Sequence, residues 1–252
     1  ADIVVEETYT TPFCEHAYLE PEAALAYRDN VGQLVVRSAT QYAHLHRRAV
    51  AETMGLPVEQ VRIQPTVVGG AFGAKTDISC ECVVALLALK TGRPVKIVYT
   101  RAESFASTTK RHPFRMRCRT GVTRDGRLIA LAADLLADTG AYASAGPGVM
   151  TRAFVSLVGP YQFPNVAIHG RVVYTNNTTA GAMRGYGAPQ VAFAIESQMD
   201  IMAAKLGIDP LEFRVMNRRR SSAAEATPQD IEQEAAYRET VEAVRPYYEK
   251  AL

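Results

Sequence analysis

Hydrophobic and polar residues alternate along the chain in short runs that predict β-strands. Runs rich in β-branched and aromatic residues, bounded by Gly, Pro or Asp, predict strands at residues 3–10, 34–36, 61–63, 95–99, 115–122, 128–136 and 166–174. Apolar residues that recur every three or four positions predict helices at 41–54, 78–90, 190–206 and 209–216. Strands and helices are therefore mixed along the sequence.

The dipeptide Asp125-Gly126 separates two predicted strands and is the strongest hairpin signal in the sequence. A hairpin requires antiparallel pairing, so the expected fold class is α+β with mixed sheets rather than a strictly parallel α/β fold. Asp77 stands directly before a predicted helix and is expected to be its N-cap.

The amino-acid composition of the sequence changes after residue 217. Residues 1–217 are predicted to form one main domain, with enough chain for two α+β subdomains. Residues 218–252 are rich in Ala and Glu and contain no glycine, which predicts a helical or partly disordered tail.

Composition excludes several classes of function. The 252 residues include 48% hydrophobic and 21% charged residues, with a net charge of +2, so we expect neither a nucleic-acid nor a membrane partner. No apolar run is long enough to span a bilayer. The four cysteines are scattered, and we interpret Cys80 and Cys82 as structural thiols in a reducing, cytoplasmic protein.

The charged and histidine residues outside the loops predict structure rather than catalysis. Arg101, Glu103, Arg111 and His112 are expected to form an ion-pair network between strands. The histidines lack the spacing of a metal site and are interpreted as packed or surface side chains.

Two glycine-rich segments are the candidates for ligand binding. The first, Gly69-Gly-Ala-Phe-Gly-Ala-Lys75, lets the backbone approach a ligand and leaves amides free to donate hydrogen bonds. It lacks the residue order of a P-loop, and on spacing alone a tight strand-to-helix turn is the favoured explanation. The second covers residues 176–189, where Arg184 and Tyr186 are the only large polar side chains.

An arginine among small residues indicates a partner for an anion or a developing oxyanion. The helix predicted from residue 190 would direct its positive end to the same place. A fourteen-residue segment without regular structure is either functional or simply a mobile surface loop, and the residues alone leave both open.

The ordered set of motifs resembles the xanthine dehydrogenase and aldehyde oxidase family over residues 5–217. The two glycine-rich segments carry the resemblance. The supporting motifs are His16-Ala-Tyr-Leu-Glu20, Arg111-His-Pro113, Asp138-Thr-Gly-Ala-Tyr142, Tyr161-Gln-Phe-Pro-Asn165 and Asp209-Pro-Leu-Glu-Phe-Arg214.

This resemblance implies a molybdopterin-binding domain, the first of two in a molybdenum hydroxylase. Such enzymes hydroxylate a carbon of an N-heterocycle or an aldehyde with oxygen from water. The expected cofactor is molybdopterin with molybdenum, in its cytosine dinucleotide form. Iron–sulfur clusters and FAD are expected on partner domains or subunits, to which the electrons pass.

The resemblance also assigns residues. Phe72 corresponds to the aromatic residue near the substrate ring, Arg184 to the arginine beside the molybdenum, and Tyr186 to the aromatic residue that follows it. Arg152 corresponds to a substrate-orienting arginine of purine-oxidising members, although a surface charge on the segment 149–157 explains it almost as well. The positions expected to hold the cofactor are Gly70, Ala71, Phe72, Gly73, Met183, Arg184 and Cys14.

Several positions depart from the family pattern. Thr76 replaces the glutamate typical of xanthine oxidisers, and Cys14 replaces a glutamine found in many members. Thr76 is thus expected to contact a substrate other than xanthine. Gly185 stands where carbon monoxide dehydrogenases have a catalytic cysteine, which excludes that branch.

The family's catalytic glutamate belongs to a Gly-Val-Gly-Glu segment that this sequence lacks. We therefore expect the chain alone to be inactive and to require a second molybdopterin-binding domain. The leading hypothesis is part of a hydroxylase for N-heteroaromatic, purine-like substrates. The alternatives are an aldehyde oxidoreductase and a non-catalytic subunit that binds the cofactor or a protein partner.

Overall fold

A computed structural model describes residues 1–219 and 228–251. The strands in chain order are β1 (Ile3–Thr11), β2 (Ala23–Arg28), β3 (Leu34–Ser38), β4 (Val61–Pro65), β5 (Val95–Val98), β6 (Lys110–Arg111), β7 (Phe114–Val122), β8 (Leu128–Gly140), β9 (Asn165–Tyr174) and β10 (Ala180–Gly181). The α-helices are α1 (Ala43–Met54), α2 (Glu81–Thr91), α3 (Arg101–Ser107), α4 (Gly146–Leu157), α5 (Ala188–Leu206), α6 (Pro210–Met216) and α7 (Pro228–Ala251). Helices and mixed sheets confirm the predicted α+β class.

The larger sheet has the strand order β1-β7-β8-β9 and contains the predicted hairpin. Strands β7 and β8 are antiparallel, and Gly126 adopts φ 88° in the turn between them. Strands β8 and β9 are parallel, because α4 crosses between them on one face of the sheet. The alternation in β7 is strict at its start, where Phe114, Met116 and Cys118 are buried and the arginines between them are exposed.

Helices α4 and α5 cover the buried face of this sheet. The core contains Val5 of β1, Leu131 and Leu135 of β8, and Ile195 and Met199 of α5, all at most 2% exposed. Burial of side chains of this size stabilises the fold by about 1.5–3 kcal/mol each.

The smaller sheet has the order β4-β3-β2-β5, and helices α1 and α2 pack against it around a second core. Strand β2 was missing from the prediction because the small residues of AALAYR give little alternation. In α2 the buried positions are Glu81, Val84, Ala85 and Ala88, whereas Val83, Leu86 and Leu87 are 39–47% exposed.

The predicted start of α2 and its N-cap were wrong. The helix begins at Glu81 with Cys80 as the N-cap residue, whereas Asp77 ends a preceding 3-10 turn in an extended conformation. The Asp77 carboxylate instead accepts a hydrogen bond from Ser144 Oγ at 2.7 Å, which brings α2 and the segment before α4 together.

The predicted ion-pair network was also wrong. Thr100 and Glu103 form a capping box at the start of α3, a helix that the sequence analysis missed. Arg101 donates to the Leu19 carbonyl at 2.8 Å and lies over the ring of Tyr18. Arg111 and His112 make their contacts elsewhere, as described for the site below.

The segment 176–189 contains a short strand that the sequence did not predict. Its residues 180–181 form β10, which pairs in parallel with β6. Gly140 adopts φ 71°, and a methyl group there would collide with the carbonyl of Thr178. This close approach fixes the start of the segment against the end of β8.

The tail contributes α7, while residues 220–227 and 252 lie outside the described part of the chain, so the prediction there stays open. Arg245 of α7 pairs with Glu212 at 2.6 Å, and the Tyr248 hydroxyl donates to Asp209 at 2.7 Å. Asp209 is also the N-cap of α6, as its position before Pro210 predicts. Within the described ranges, no helix has the length and apolar character needed to cross a membrane.

Candidate active site

The first glycine loop, residues 69–77, presents its backbone to an open cavity. Gly70 and Gly73 have φ of 96° and 108°, and Phe72 adopts φ 55°, an unusual conformation for a residue with a side chain. The amides of Gly70, Ala71 and Phe72 make no hydrogen bond to residues 1–219 or 228–251. Of these three residues, Phe72 lines the cavity, so its amide is the donor that the loop offers to a ligand there.

An ion pair between buried Lys75 and partly exposed Glu20 anchors this loop. Lys75 is 4% exposed, and its Nζ donates to Glu20 Oε2 at 2.7 Å and to the Glu20 carbonyl at 2.9 Å. The same carboxylate accepts from the Gly69 amide at 2.7 Å. Burial opposes the charge of Glu20, but Lys75 and the Gly69 amide outweigh it and lower the pKa of Glu20. The ammonium also lies 4.7 Å from the centre of the Tyr18 ring.

A second buried pair supports the end of the loop. His46 of α1 lies with Nδ1 3.3 Å from Glu81 Oε1, and its Nε2 donates to the Thr76 carbonyl at 3.1 Å. Burial opposes the charged form of His46, yet Glu81 more than compensates and raises the pKa of His46. Burial likewise opposes the charge on Glu81, and His46 lowers the pKa of Glu81 despite it. Exposed His44 faces the other side of the helix, as expected.

This pair predicts a pH window of stability. The contribution of Glu81 appears above its ordinary value of 4.5, and that of His46 is lost as pH rises from 6.5 through its raised pKa. The pair should therefore stabilise the fold most between these values. We expect His46→Gln to destabilise the protein by about 3–5 kcal/mol in that window, because it leaves a buried carboxylate unpaired. Urea unfolding as a function of pH measures this.

The matched control is His44→Gln, an exposed change on the same helix. Its unfolding free energy should follow that of the unchanged protein at every pH. Equal destabilisation by His46→Gln at pH 5.5 and at a pH well above its raised pKa would contradict an ionised pair.

The second glycine loop, residues 178–188, is joined directly to the first. The Arg184 amide donates to the Phe72 carbonyl at 2.8 Å, and Arg111 Nη2 donates to the Arg184 carbonyl at 2.8 Å. His16 Nε2 contacts the Ala182 carbonyl at 2.8 Å, and burial lowers the pKa of His16. Three separate contacts thus fix the backbone on either side of Arg184.

Close packing of the two loops requires glycine. A methyl group at Gly73 would lie 2.6 Å from the Ala182 carbonyl oxygen and 3.1 Å from Met183 Cα. A methyl group at Gly148 of α4 would lie 2.6 Å from the Tyr186 hydroxyl. Tyr186 itself has φ 50°, so both aromatic residues of the site occupy the left-handed region.

A cavity of 760 Å³ opens between the two loops, α1 and the segment before α4. Of the residues predicted for the site, it brings together Phe72, Gly73, Thr76, Met183, Arg184 and Tyr186. Residues Phe72 and Tyr186 are 49% and 37% exposed, and the Arg184 side chain makes no ion pair or hydrogen bond within the described chain. An uncommitted guanidinium beside exposed aromatic rings can bind a planar or anionic ligand.

Four predicted residues do not line this cavity. Gly70 and Ala71 belong to the first loop but lie beside the opening. Cys14 is exposed outside the cavity, although its carbonyl accepts from the Arg111 amide at 2.9 Å. Arg152 is exposed on α4, one helical turn after Gly148 and therefore on the side of the helix that meets Tyr186.

Sequence reasoning missed six of the fourteen residues that line the cavity. They are Gln41, Tyr42, Leu45, Asp77, Ser144 and Ala145. For the last two there was a signal, since residues 143–148 are small and include Gly and Pro, as in the two glycine loops. No signal marks Gln41, whose Oε1 accepts from the Gly73 amide at 3.2 Å.

Histidine 112 is buried behind the site and neutral. Burial lowers the pKa of His112 to about 4, and its Nε2 lies 3.3 Å from Thr139 Oγ1. Within residues 1–219 and 228–251, no three His, Cys, Asp or Glu side chains converge as metal ligands.

Comparison with known proteins agrees with this geometry. A family model described as the molybdopterin cofactor-binding domain matches residues 1–218. The chain belongs to this family. The resemblance to molybdenum hydroxylases inferred from the motifs is thereby confirmed.

Two relatives illustrate the family. The chain is 46% identical over 251 residues to the nicotinate dehydrogenase large molybdopterin subunit of Eubacterium barkeri, covering 100% of this chain and 58% of that protein. It is 40% identical over 225 residues to the xanthine dehydrogenase molybdenum-binding subunit of Escherichia coli O157:H7, covering 89% of this chain and 30% of that protein. The chain thus spans only part of each relative.

The fold has a counterpart among solved structures. The aldehyde oxidoreductase of Desulfovibrio gigas matches with a TM-score of 0.92 at 34% identity, covering 100% of this chain and 28% of that one. The molybdopterin cofactor-binding domain therefore shares its whole described architecture with one part of that larger protein.

Proposed function

We propose that this domain forms part of the active site of a molybdenum hydroxylase that oxidises an N-heteroaromatic, purine-like substrate with oxygen from water. One observation carries the proposal: the hydrogen bond from the Arg184 amide to the Phe72 carbonyl joins the two glycine loops. It places an uncommitted guanidinium and two exposed aromatic rings around one cavity.

The residues present fit the cofactor. The free amides of Gly70, Ala71 and Phe72 suit the heteroatoms of a pterin, and Arg184 suits an anionic oxygen. When bound, molybdopterin with molybdenum would supply the two-electron oxidation and the activated oxygen. We further propose its cytosine dinucleotide form.

The side chains then have defined roles. Phe72 and Tyr186 would hold a planar ring by stacking, while Arg184 would stabilise negative charge that develops during attack. The Thr76 hydroxyl donates to the Gly73 carbonyl at 2.7 Å, so a substrate would meet it mainly as an acceptor. Met183 and Gly73 would hold the backbone close to the cofactor.

The rest of the machinery is proposed to lie on partners. A second molybdopterin-binding domain would supply the catalytic glutamate, and iron–sulfur and flavin domains or subunits would carry the electrons away. The domain alone would then be inactive, and the complete enzyme cytoplasmic. Residues 1–217 would be the cofactor-binding unit and 218–252 a peripheral tail.

Turnover in oxygen-18-labelled water tests the proposal. The complete enzyme that contains this domain should place the label in the hydroxylated product of an N-heteroaromatic substrate and pass two electrons to a dye acceptor per product. Product that carries no label from water would contradict the assignment. A chain that binds cofactor without any turnover would instead support a non-catalytic subunit.

Arg152 distinguishes the substrate classes. If it orients an N-heterocycle, Arg152→Met should lower kcat/KM for that substrate by roughly 10²-fold, since charge stabilisation in the transition state is lost. Steady-state kinetics measures this, with Arg171→Met on the outer face of β9 as the matched control.

The alternative is an aldehyde oxidoreductase. The position of Arg152 outside the cavity lining favours it, as does the match to the Desulfovibrio gigas protein. In that case Arg152→Met should leave kcat/KM for an aldehyde unchanged, and the N-heteroaromatic compound should react poorly with either form.

A further inference from the structure

A second, smaller cavity lies beneath the first glycine loop. Its volume of 40 Å³ is enough for about three water molecules, at roughly 10–15 Å³ each. The start of β2, the end of the first glycine loop, Glu81 of α2 and the segment after α3 enclose it. Its polar lining includes Glu22, Lys75, Asp77, Ser79, Glu81 and residues 107–109.

Glu22 is the unusual group in this cavity. It is 5% exposed, and its carboxylate has no hydrogen bond or ion pair from residues 1–219 or 228–251. The nearby ammonium of Lys75 does not pair with Glu22, because it donates its hydrogen bonds to Glu20. A buried carboxylate oxygen without a partner is unfavourable, so Glu22 Oε2 requires a hydrogen bond from water in the small cavity.

Asp77 borders both cavities. Its Oδ1 accepts from Ser144 Oγ at 2.7 Å on the side of the large cavity. Its Oδ2 and Thr109 Oγ1 are buried neighbours, and both lie close to the position that a methyl group on Gly181 would take. The carboxyl group therefore has one oxygen toward the substrate side and a second, beside the Thr109 hydroxyl, toward the small cavity.

The charged surroundings of Asp77 come from several elements. His46 of α1 and His16 after β1 favour its ionised form, and Glu22 and Glu81 lie around the small cavity. Burial is the largest influence and raises the pKa of Asp77 above its ordinary value, against the hydrogen bonds from Ser144 and Thr109. A carboxyl group in this setting takes up a proton more readily than an exposed aspartate does.

We propose that the small cavity binds ordered water and that Asp77, the water and Glu22 form a proton relay beneath the substrate cavity. This rests on the proposed function. Hydroxylation breaks a C–H bond, forms a C–O bond to the oxygen of water, sends two electrons to iron–sulfur centres on partner domains and releases two protons. The Asp77 carboxylate takes one of these protons as a new O–H bond and passes it through the water to Glu22, which releases it to solvent. The other proton goes to the base that the partner domain supplies.

Infrared spectroscopy of the complete resting enzyme tests the relay without turnover. A protonated carboxyl band should titrate above the range of an ordinary aspartic acid, disappear in Asp77→Asn and shift in Glu22→Gln because water couples the two groups. Asp134→Asn, an exposed change on β8, is the matched control and should leave the band unchanged. A band that Glu22→Gln does not move would overturn the proposal, as would a crystal structure with the small cavity dry.

Proton release in a single turnover is the second readout. A pH-indicator dye should show release that lags behind acceptor reduction in Asp77→Asn and Glu22→Gln, but keeps pace with it in the unchanged enzyme and in Asp134→Asn. Release that keeps pace in all four forms would overturn the relay. If the unchanged enzyme does not hydroxylate its substrate at all, the proposed function fails, while the infrared result still decides the coupling of the two carboxyl groups.

Discussion

Replacing Gly73 by alanine is expected to separate the two glycine loops and to remove most of the bound cofactor. The new methyl group would lie 2.6 Å from the Ala182 carbonyl oxygen, which is backbone and cannot rotate away. The hydrogen bond from the Arg184 amide to the Phe72 carbonyl would lengthen or break. A loss of about 1.4 kcal/mol in binding free energy lowers affinity tenfold. We therefore expect the molybdenum and pterin content of the purified complete enzyme to fall at least tenfold.

The chain offers a matched control for this change. Gly32 also has a positive φ, 82°, but no atom lies within 4 Å of the position of a methyl group there. Gly32→Ala therefore carries the backbone strain, about 1–3 kcal/mol, without the collision. Its cofactor content should equal that of the unchanged enzyme. Equal cofactor loss in both variants would show that strain, and not loop contact, explains the result.

Removing the Arg184 side chain is expected to abolish most activity while the fold is kept. The guanidinium makes no bond within the described residues, so Arg184→Met should change the free energy of unfolding by less than about 0.5 kcal/mol. If the side chain stabilises charge in the transition state, kcat should fall by roughly 10²–10³-fold. Rapid-reaction kinetics of substrate oxidation in the complete enzyme measures this.

Two companion variants interpret this result. Arg184→Lys keeps the charge but loses the planar donor fork, and should recover only a small part of the rate. Arg124→Met, an exposed change in the hairpin turn, should leave kcat unchanged. A fall in melting temperature with full activity per bound molybdenum would mean that Arg184 acts structurally.

Much of the larger sheet could be predicted because its signals are local. The alternation of β7 and the turn at Gly126 define a hairpin without reference to the rest of the chain. Three of the elements that the sequence analysis missed were missed for different reasons. Strand β2 has small residues, the capping box of α3 was interpreted as ion pairs, and α4 begins with Gly146-Pro147-Gly148, which reads as a loop.

The residues of the site can likewise be divided into those with a local signal and those without one. Phe72, Arg184 and Tyr186 were found because glycine-rich loops and one isolated arginine can be recognised in a sequence. Gln41 and Ser144 reach the cavity only through packing between distant elements, which no local pattern contains. The buried support of the loops by His16 and by the His46–Glu81 pair depends on contacts of the same long-range kind.

Metal and pterin analysis of the intact complex tests the central claim most directly. The complete enzyme, purified without denaturation, should contain about one molybdenum and one pterin per copy of this domain, and Gly73→Ala should lose both together. An intact complex with neither molybdenum nor pterin would contradict the account, because the two glycine loops would then enclose a cavity for some other ligand.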